Sequence, residues 1–396
     1  MRRSVRVAIA SRIFNPEPSA ASFRLEALAK SFADQGHDVT VFTTTAPRER
    51  DAEAAAFARR TPWMRVRRFP VVRNRSGYVR GYVPYLSFDL PLFFRLLFSR
   101  RFDVIVVEPP PTTGAVVRLV AGLRRVPYLY YAADIWADAA QQTASAAFVV
   151  RAVRIVERWA LRGASAVLSV SEGVTARLGA LGVSDDTLTI GNGIDVDAFR
   201  FSGDTEPDEE PLFVYAGTSS EWHGSGIFVD AFTGVLREFP SARLLFIGGG
   251  SEREELAKQA QRLGIEGSVE FRSSVGPEQL AEILRRSTAS LASQRPEAGY
   301  DYAFPTKLYA SAACGTPLIF AGSGPAVDFV ANEVAGAAIG RAAAYRPDAV
   351  STVMIEAARR TASLERRLTV AEWARDQVAI SRPAELAVRR AEQLLN

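Results

Sequence analysis

Short apolar runs alternate with longer stretches of helical spacing along most of the chain. Val5–Ala10, Asp38–Thr43, Val104–Val107, Tyr128–Tyr131 and Ala166–Val170 read as a first series of strands. Leu212–Ala216, Arg243–Ile247, Val269–Arg272, Ala289–Ala292 and Leu318–Phe320 form a second series. Near-continuous apolar strands separated by helices imply parallel sheets covered on both faces. Between the two series lies "FSGDTEPDEEP", residues 201–211, acidic, proline-bearing and without periodicity. It reads as a linker, so the chain divides into two doubly wound, Rossmann-like α/β domains, residues 1–196 and 197–382.

Ligands of such sheets sit beyond the carboxyl ends of the strands. There the chain places "SRIFNPEPSAASFR", "AADIWADAA", "GTSSEWHGSG", "GGGSEREEL", "RSSVGPEQL" and "SQRPEAGYDYAFPTK". The two domains are expected to face each other across a cleft lined by these loops. A helix over about 306–314 opens just after Pro305, and its free N–H groups at that mouth suit an anion.

Composition narrows the class. The 396 residues are 48% hydrophobic and 23% charged, ordinary for a globular protein. The amino terminus reads as a first strand and not as a leader, and no uncharged run approaches the roughly 18 residues of a membrane span. A lone cysteine, Cys314, rules out a disulfide framework and makes the cytoplasm the expected compartment. No metal-ligand spacing surrounds Cys314 or His37, and no metal is expected. The net charge of +4 is unevenly spread. Arg65, Arg67, Arg68, Arg73, Arg75, Arg80, Arg95, Arg100 and Arg101 crowd one stretch, interleaved with Phe69, Tyr78, Tyr82, Tyr85, Phe88, Phe93, Phe94 and Phe98. Either this is a solvated face or it meets anionic lipid headgroups at the inner face of a membrane. No nucleic-acid-binding motif accompanies the charge, so nucleic acid is not an expected partner.

The ordered set "SFRLEALAKSFADQGHDVTVFTT", "SVSEGVTARLGALGV", "IGNGIDVDAF", "VYAGTSSEWHGSGIFVDAF", "LLFIGGGSEREEL", "VEFRSSVGPEQLAEIL" and "FPTKLYASAACGTPLI" resembles the retaining nucleotide-sugar glycosyltransferases of family 4. The resemblance spans most of the chain and implies the two-domain GT-B fold. It implies that the C-terminal domain holds a nucleotide diphosphate sugar, the N-terminal domain holds a hydroxyl acceptor, lipid-linked in one reading, and no cofactor takes part. It also implies that a last helix, about 383–396, returns to the N-terminal domain. Two other readings stay open: a non-catalytic homologue serving glycan assembly, and a sugar-nucleotide epimerase.

Lys307 is one of only three lysines in an arginine-rich chain. A compact ammonium there suits a departing diphosphate, against the alternative of a chance surface lysine. His223, in "EWHGSG", is assigned beside it; relatives carry basic residues in this loop, and here Gly217 to Asp230 holds no Lys or Arg. Asp134 is placed to orient or deprotonate the acceptor, or to cap a helix. Gly217, Trp222, Gly248, Gly249, Gly250, Ser274, Glu297, Thr306 and Leu308 are assigned to the donor, and Ser19, Ser22, Arg24 and Asp138 to the acceptor. Ordinary strand-to-helix turn chemistry is the alternative for the small residues. "DVD" at 195–197 is not taken as a metal motif. The family's two glutamates, eight positions apart, fall on Tyr302 and Ala310, so the ribose-holding carboxylate is absent at its matching position.

Overall fold

A computed structural model describes residues 4–17, 19–73, 79, 81–142, 147–183, 186–204, 207–297, 299, 301–360 and 362–395. The chain forms two compact units, Met1–Asn192 with Ile380–Asn396, and Gly193–Ala379.

The first unit carries β1 (Arg6–Ala10), α1 (Ala20–Asp34), β2 (Asp38–Thr44), α2 (Asp51–Arg60), β3 (Met64–Phe69), α3 (Tyr82–Leu97), β4 (Val104–Val107), α4 (Pro111–Arg124), β5 (Tyr128–Ala132), α5 (Trp136–Gln142), α6 (Ala147–Arg162), β6 (Ala166–Ser169), α7 (Glu172–Ala180) and β7 (Thr187–Thr189). Its seven strands are parallel in the order β3-β2-β1-β4-β5-β6-β7. The order reverses between β1 and β4, which makes a crevice beyond their carboxyl ends. Val7, Ile9, Val39, Val41, Val104, Val106 and Leu129 build the core against Leu25, Leu28 and Phe32 of α1. The closing helix, Ser381–Gln393, packs on α1 and adds Ala387, Val388 and Ala391 to the same core.

The second unit carries β8 (Leu212–Ala216), α8 (Gly226–Glu238), β9 (Arg243–Ile247), α9 (Arg253–Arg262), β10 (Val269–Arg272), α10 (Pro277–Arg286), β11 (Ala289–Gln294), α11 (Lys307–Ala313), β12 (Leu318–Gly322), α12 (Pro325–Ala331), the hairpin β13 (Glu333–Val334) and β14 (Ala337–Ala338), β15 (Gly340–Ala343), α13 (Pro347–Arg359) and α14 (Leu364–Val378). Six strands are parallel in the order β10-β9-β8-β11-β12-β15, with the reversal between β8 and β11. Apolar clusters cover both faces of this sheet, one around Val214, Leu245 and Phe320 and the other around Phe213, Leu244 and Ile319.

Several arginines of the arginine-rich stretch hold partners within the first unit. Arg65 and Arg100 both hold Asp38, the latter at 2.6 Å, and Arg73 reaches Glu17 at 3.0 Å. Arg68 donates to the Asn15 carbonyl, and Arg95 lies 3.5 Å from the Phe69 ring centroid. Arg75, Tyr78 and Arg80 lie outside the described residues, as does the Tyr82 side chain. Among the described residues, no helix is long and apolar enough to cross a membrane.

Candidate functional site

In the second unit, Lys307 and His223 come together at the reversal point of the sheet. The loop after β8 delivers His223, and the loop after β11 leads into α11, whose first residue is Lys307. The Lys307 Nζ is buried, has no hydrogen-bond partner, and lies 3.6 Å from the ring centroid of Tyr215. The ring face attracts the ammonium but does not replace its hydration. Burial therefore pulls the amine down from 10.5 to about 7. His223 is held lower still, at about 3, by burial first and by Lys307 second, so the imidazole is neutral. Its Nδ1 is also buried and unpartnered. A charge and a polar ring atom both lack partners in a part-buried place, an arrangement that costs stability until an anion or a water arrives.

Glycines let the surrounding loops close in. Gly217, at φ +128°, leaves Lys307 Nζ 3.4 Å from where a Cβ would stand. Gly248 and Gly250 have φ of +130° and +137°, and a Cβ on either would overlap the carbonyl oxygen of Gly217 or Ser219. The β8 and β9 loops are tied by Ser219 N–H to the Gly249 carbonyl at 2.9 Å and Glu252 N–H to the Ser219 carbonyl at 3.2 Å. Gly249 is open on its Cβ side. The Trp222 ring sits 5.8 Å from the His223 ring, and the Trp222 carbonyl accepts a hydrogen bond from Arg295 N–H at 2.9 Å. Glu252, which sequence reasoning did not single out, keeps one buried carboxylate oxygen unpartnered, and burial raises its carboxyl.

The mouth of α11 differs from the expectation of free N–H groups. Leu308 and Tyr309 donate theirs to the carbonyls of Pro305 and Thr306, each at 3.0 Å. The tight turn closes on itself, so Lys307 carries the positive character of this entrance. Leu308 is correspondingly poor as a donor contact, because its side chain is wholly in the core. Thr306 is half-buried and makes no side-chain cap. Glu297 is exposed at φ +60°, its N–H on Asp301 at 3.1 Å, and Ser274 is exposed after β10. Ala310 is 5% exposed within the apolar cluster beneath Lys307.

In the first unit, Arg24 of α1 forms a buried ion pair with Glu108 after β4, across the reversal point, and its guanidinium lies 5.1 Å from the Tyr131 ring. Asp134 follows β5. It is exposed, and desolvation by the surrounding protein raises its carboxyl to about 6, with Arg24 opposing and Glu108 assisting. The N-terminus of α5 is capped by another carboxylate: Glu157 of α6 accepts from Trp136 N–H at 2.7 Å and Ala137 N–H at 2.9 Å. Burial holds the Glu157 carboxyl near 7. Nothing in the one-dimensional pattern of α6 marks this residue. Asp138 is buried in a bidentate pair with Arg177, both contacts 2.7 Å. Ser19 caps α1 by accepting from Ser22 N–H at 3.1 Å, and Ser22 Oγ donates to the Glu17 carbonyl at 2.6 Å. These three residues thus have structural duties whatever else they contact. Arg12, also unforeseen, is buried against Tyr85 and Trp136, 4.3 and 5.1 Å from their ring centroids. Among the described residues, no group of three His, Cys, Asp or Glu side chains is arranged to hold a metal.

Two family descriptions match the two units in turn. The glycosyl transferase 4-like domain covers residues 20–193, and glycosyl transferases group 1 covers residues 198–359. Together with the two parallel sheets, they make the chain a glycosyltransferase of the GT-B fold. Among particular proteins it is similar to the alpha-monoglucosyldiacylglycerol synthase of Streptococcus pneumoniae, 22% identical over 84% of this chain and 75% of that one. A D-inositol 3-phosphate glycosyltransferase of Segniliparus rotundus is 28% identical over 33% of this chain and 29% of its own. In structure the chain resembles the sucrose-phosphate synthase of Thermosynechococcus elongatus, with TM-score 0.78, 19% identity and 99% of each chain covered. It also resembles Anabaena HepE solved with UDP-glucose, with TM-score 0.71, 18% identity, and 98% and 99% covered.

Proposed function

We propose that the chain transfers a sugar from a nucleotide diphosphate sugar to a hydroxyl acceptor, with retention of anomeric configuration. The observation that carries this reading is the buried, unpartnered Lys307 ammonium beside a neutral His223 at the reversal point of the second sheet. A diphosphate would supply the missing counter-charge, and Lys307 would gain most as negative charge builds on the leaving oxygen. The neutral His223 can donate one ring N–H to the same phosphates. The bond from the anomeric carbon to the phosphate oxygen breaks while the acceptor oxygen bonds to the same face. The acceptor proton passes to the departing phosphate oxygen, so the step needs no second carboxylate. Asp134 would orient the acceptor hydroxyl.

The relatives support the two substrate classes. HepE was solved with UDP-glucose, and the streptococcal relative is named for a glucosyldiacylglycerol. A hydroxyl acceptor on a lipid, met at the inner face of a membrane, follows as the acceptor side of the proposal. Tyr302 and Ala310 stand where the family's glutamates would be, so ribose recognition is rebuilt or weak in this chain.

A thermal-shift panel of UDP, GDP and ADP tests the donor half, since a ligand at a hundred times its Kd adds about 2.7 kcal/mol. Release of the nucleotide from the matching sugar donor, with and without lipid acceptors, tests the transfer. No shift with any nucleotide at millimolar concentration would sink the reading.

A further inference from the structure

Helices α3, α4 and α6 lie side by side on the first unit, α3 packing on α4 and α4 on α6. They carry an apolar surface that faces water. On α3 and just past its end, Val83, Leu86, Leu90, Phe94 and Phe98 recur at three- and four-residue steps and are 50% to 80% exposed. Leu119 and Leu123 continue the surface on α4, and Phe148, Ile155 and Trp159 on α6. Ten of the fourteen exposed large hydrophobics among the described residues belong to this one layer. A monomer seldom leaves so much apolar surface together without an occupant.

The exposed charges on these helices are of one sign. Arg125, Arg151, Arg158 and Arg162 are exposed on or beside α4 and α6, and Arg101 follows α3. The only acids on the three helices, Asp89 and Glu157, are 2% and 1% exposed. Arg118 lies 4.3 Å from the Trp159 ring centroid, which sets a cation against an aromatic edge of the patch. A second copy would bring arginine against arginine across a shared face, with no exposed acid on these helices to answer it. A sheet of anionic headgroups over acyl chains answers both the charge and the apolar stripe.

We propose that the α3–α4–α6 face docks on an anionic lipid bilayer, with the aromatic and aliphatic side chains entering the headgroup boundary and the arginines holding phosphate. This deepens the membrane side of the functional reading, but it stands on the surface alone. It also relocates the basic membrane surface expected from sequence: Arg65, Arg68 and Arg73, before α3, hold internal partners, whereas the arginines on α4 and α6 border the exposed stripe.

The test is sedimentation of the full chain with vesicles of phosphatidylcholine alone or with about one phosphatidylglycerol in three lipids, which gives the surface a negative potential. The expected result is binding to the mixed vesicles at low salt and at least about tenfold less at 1 M salt, where screening shortens to about 3 Å. Leu90→Glu with Phe94→Glu, and separately Arg151→Glu with Arg158→Glu, should each lower binding about tenfold or more, since each arginine contributes about fivefold near such a surface. Unchanged melting temperature and an unchanged shift by UDP in the same samples show that the fold and the donor site are intact, and they separate this idea from the donor reading. Equal binding to both vesicle types, no binding, or retention of binding in both double variants would overturn it. Concentration-dependent self-association lost in the Leu90 and Phe94 variant, without lipid binding, would assign the face to a second copy instead.

Discussion

Replacing Lys307 by methionine removes the buried ammonium while keeping a stem of similar length. In the free chain this should stabilise the fold. The amine is pulled from 10.5 in the unfolded chain to about 7 in the folded one, chiefly by burial. A tenfold change in proton affinity is worth about 1.4 kcal/mol, so the mismatch approaches about 4–5 kcal/mol in full. Relaxation and water entry reduce what is expressed, and about 2 kcal/mol is expected. The sign follows from proton counts. Between pH 7 and 10.5 the unfolded chain holds the proton and the folded one does not. The penalty is therefore complete below pH 7, fades as pH rises, and is gone above 10.5. The Lys307→Met variant should thus outlast the parent in thermal melts at pH 6.5, and the difference should shrink steadily toward pH 10. Binding should move the other way. A bound diphosphate restores the ammonium, so calorimetry with UDP at pH 8.5, in two buffers of different ionisation enthalpy, should show uptake of nearly one proton by the parent and none by the variant. The lost charged contact of roughly 1.5–3 kcal/mol should weaken UDP by about one to two orders of magnitude. A variant less stable than the parent at pH 6.5, or a parent that takes up no proton, would refute the argument that Lys307 waits for an anion.

Three further outcomes are expected. Asp134→Asn should slow transfer and erase an acid limb near pH 6 in its rate profile, because the carboxyl is raised to about 6 and must ionise above that to accept a hydroxyl hydrogen bond; a profile with the limb intact assigns it to another group. Glu157→Ala should lower the melting temperature by the loss of about 1–3 kcal/mol, since two N–H groups of α5 are left without an acceptor, while Glu157→Gln recovers part of it. The parent's carboxyl sits near 7, so its charged form is disfavoured and the stability it lends should fall as pH rises from about 4 to 7. Ala310→Glu should destabilise the free chain, by placing a carboxyl in an apolar cluster, yet tighten UDP about tenfold or more if the ribose lies over α11; weaker binding in calorimetry would place the ribose elsewhere.

The strand series was legible because each strand of a doubly wound sheet is buried on both faces, and all ten expected strands appear at their expected positions. β3 was hidden for the converse reason. "MRVRRF" lies at a sheet edge, so arginines fill its exposed positions and break the apolar run. The short β7, β13 and β14 lack the length to register, and β15, as long as β4, is an edge strand with two exposed positions and no apolar run. Lys307 was legible because lysine is scarce in this chain, which let one residue stand out at a loop-to-helix junction. Tyr215 was not, since a tyrosine in an apolar strand reads as core until the structure shows an ammonium over its ring. Whether an arginine is free or paired is invisible in one dimension. Arg65 and Arg100 are thirty-five positions apart and share Asp38.

The same limit explains why the sequence points to a different set of arginines for the proposed membrane face. Sequence density measures how many cations a segment holds, not how many acids the fold brings to them. Asp38 opens β2 and Glu17 lies in the loop after β1, far in sequence from their arginines; the parallel pairing of β2 with β3 brings Asp38 to Arg65, and the chain beyond β3 brings Arg73 to Glu17. On α4 and α6 the fold does the reverse. It buries Glu157 as the cap of α5 and leaves Arg151 and Arg158 outside. One buried carboxylate thus does two things at once: it closes the N-terminus of the helix that follows Asp134, and it leaves the outer surface of its own helix with arginine and apolar groups only.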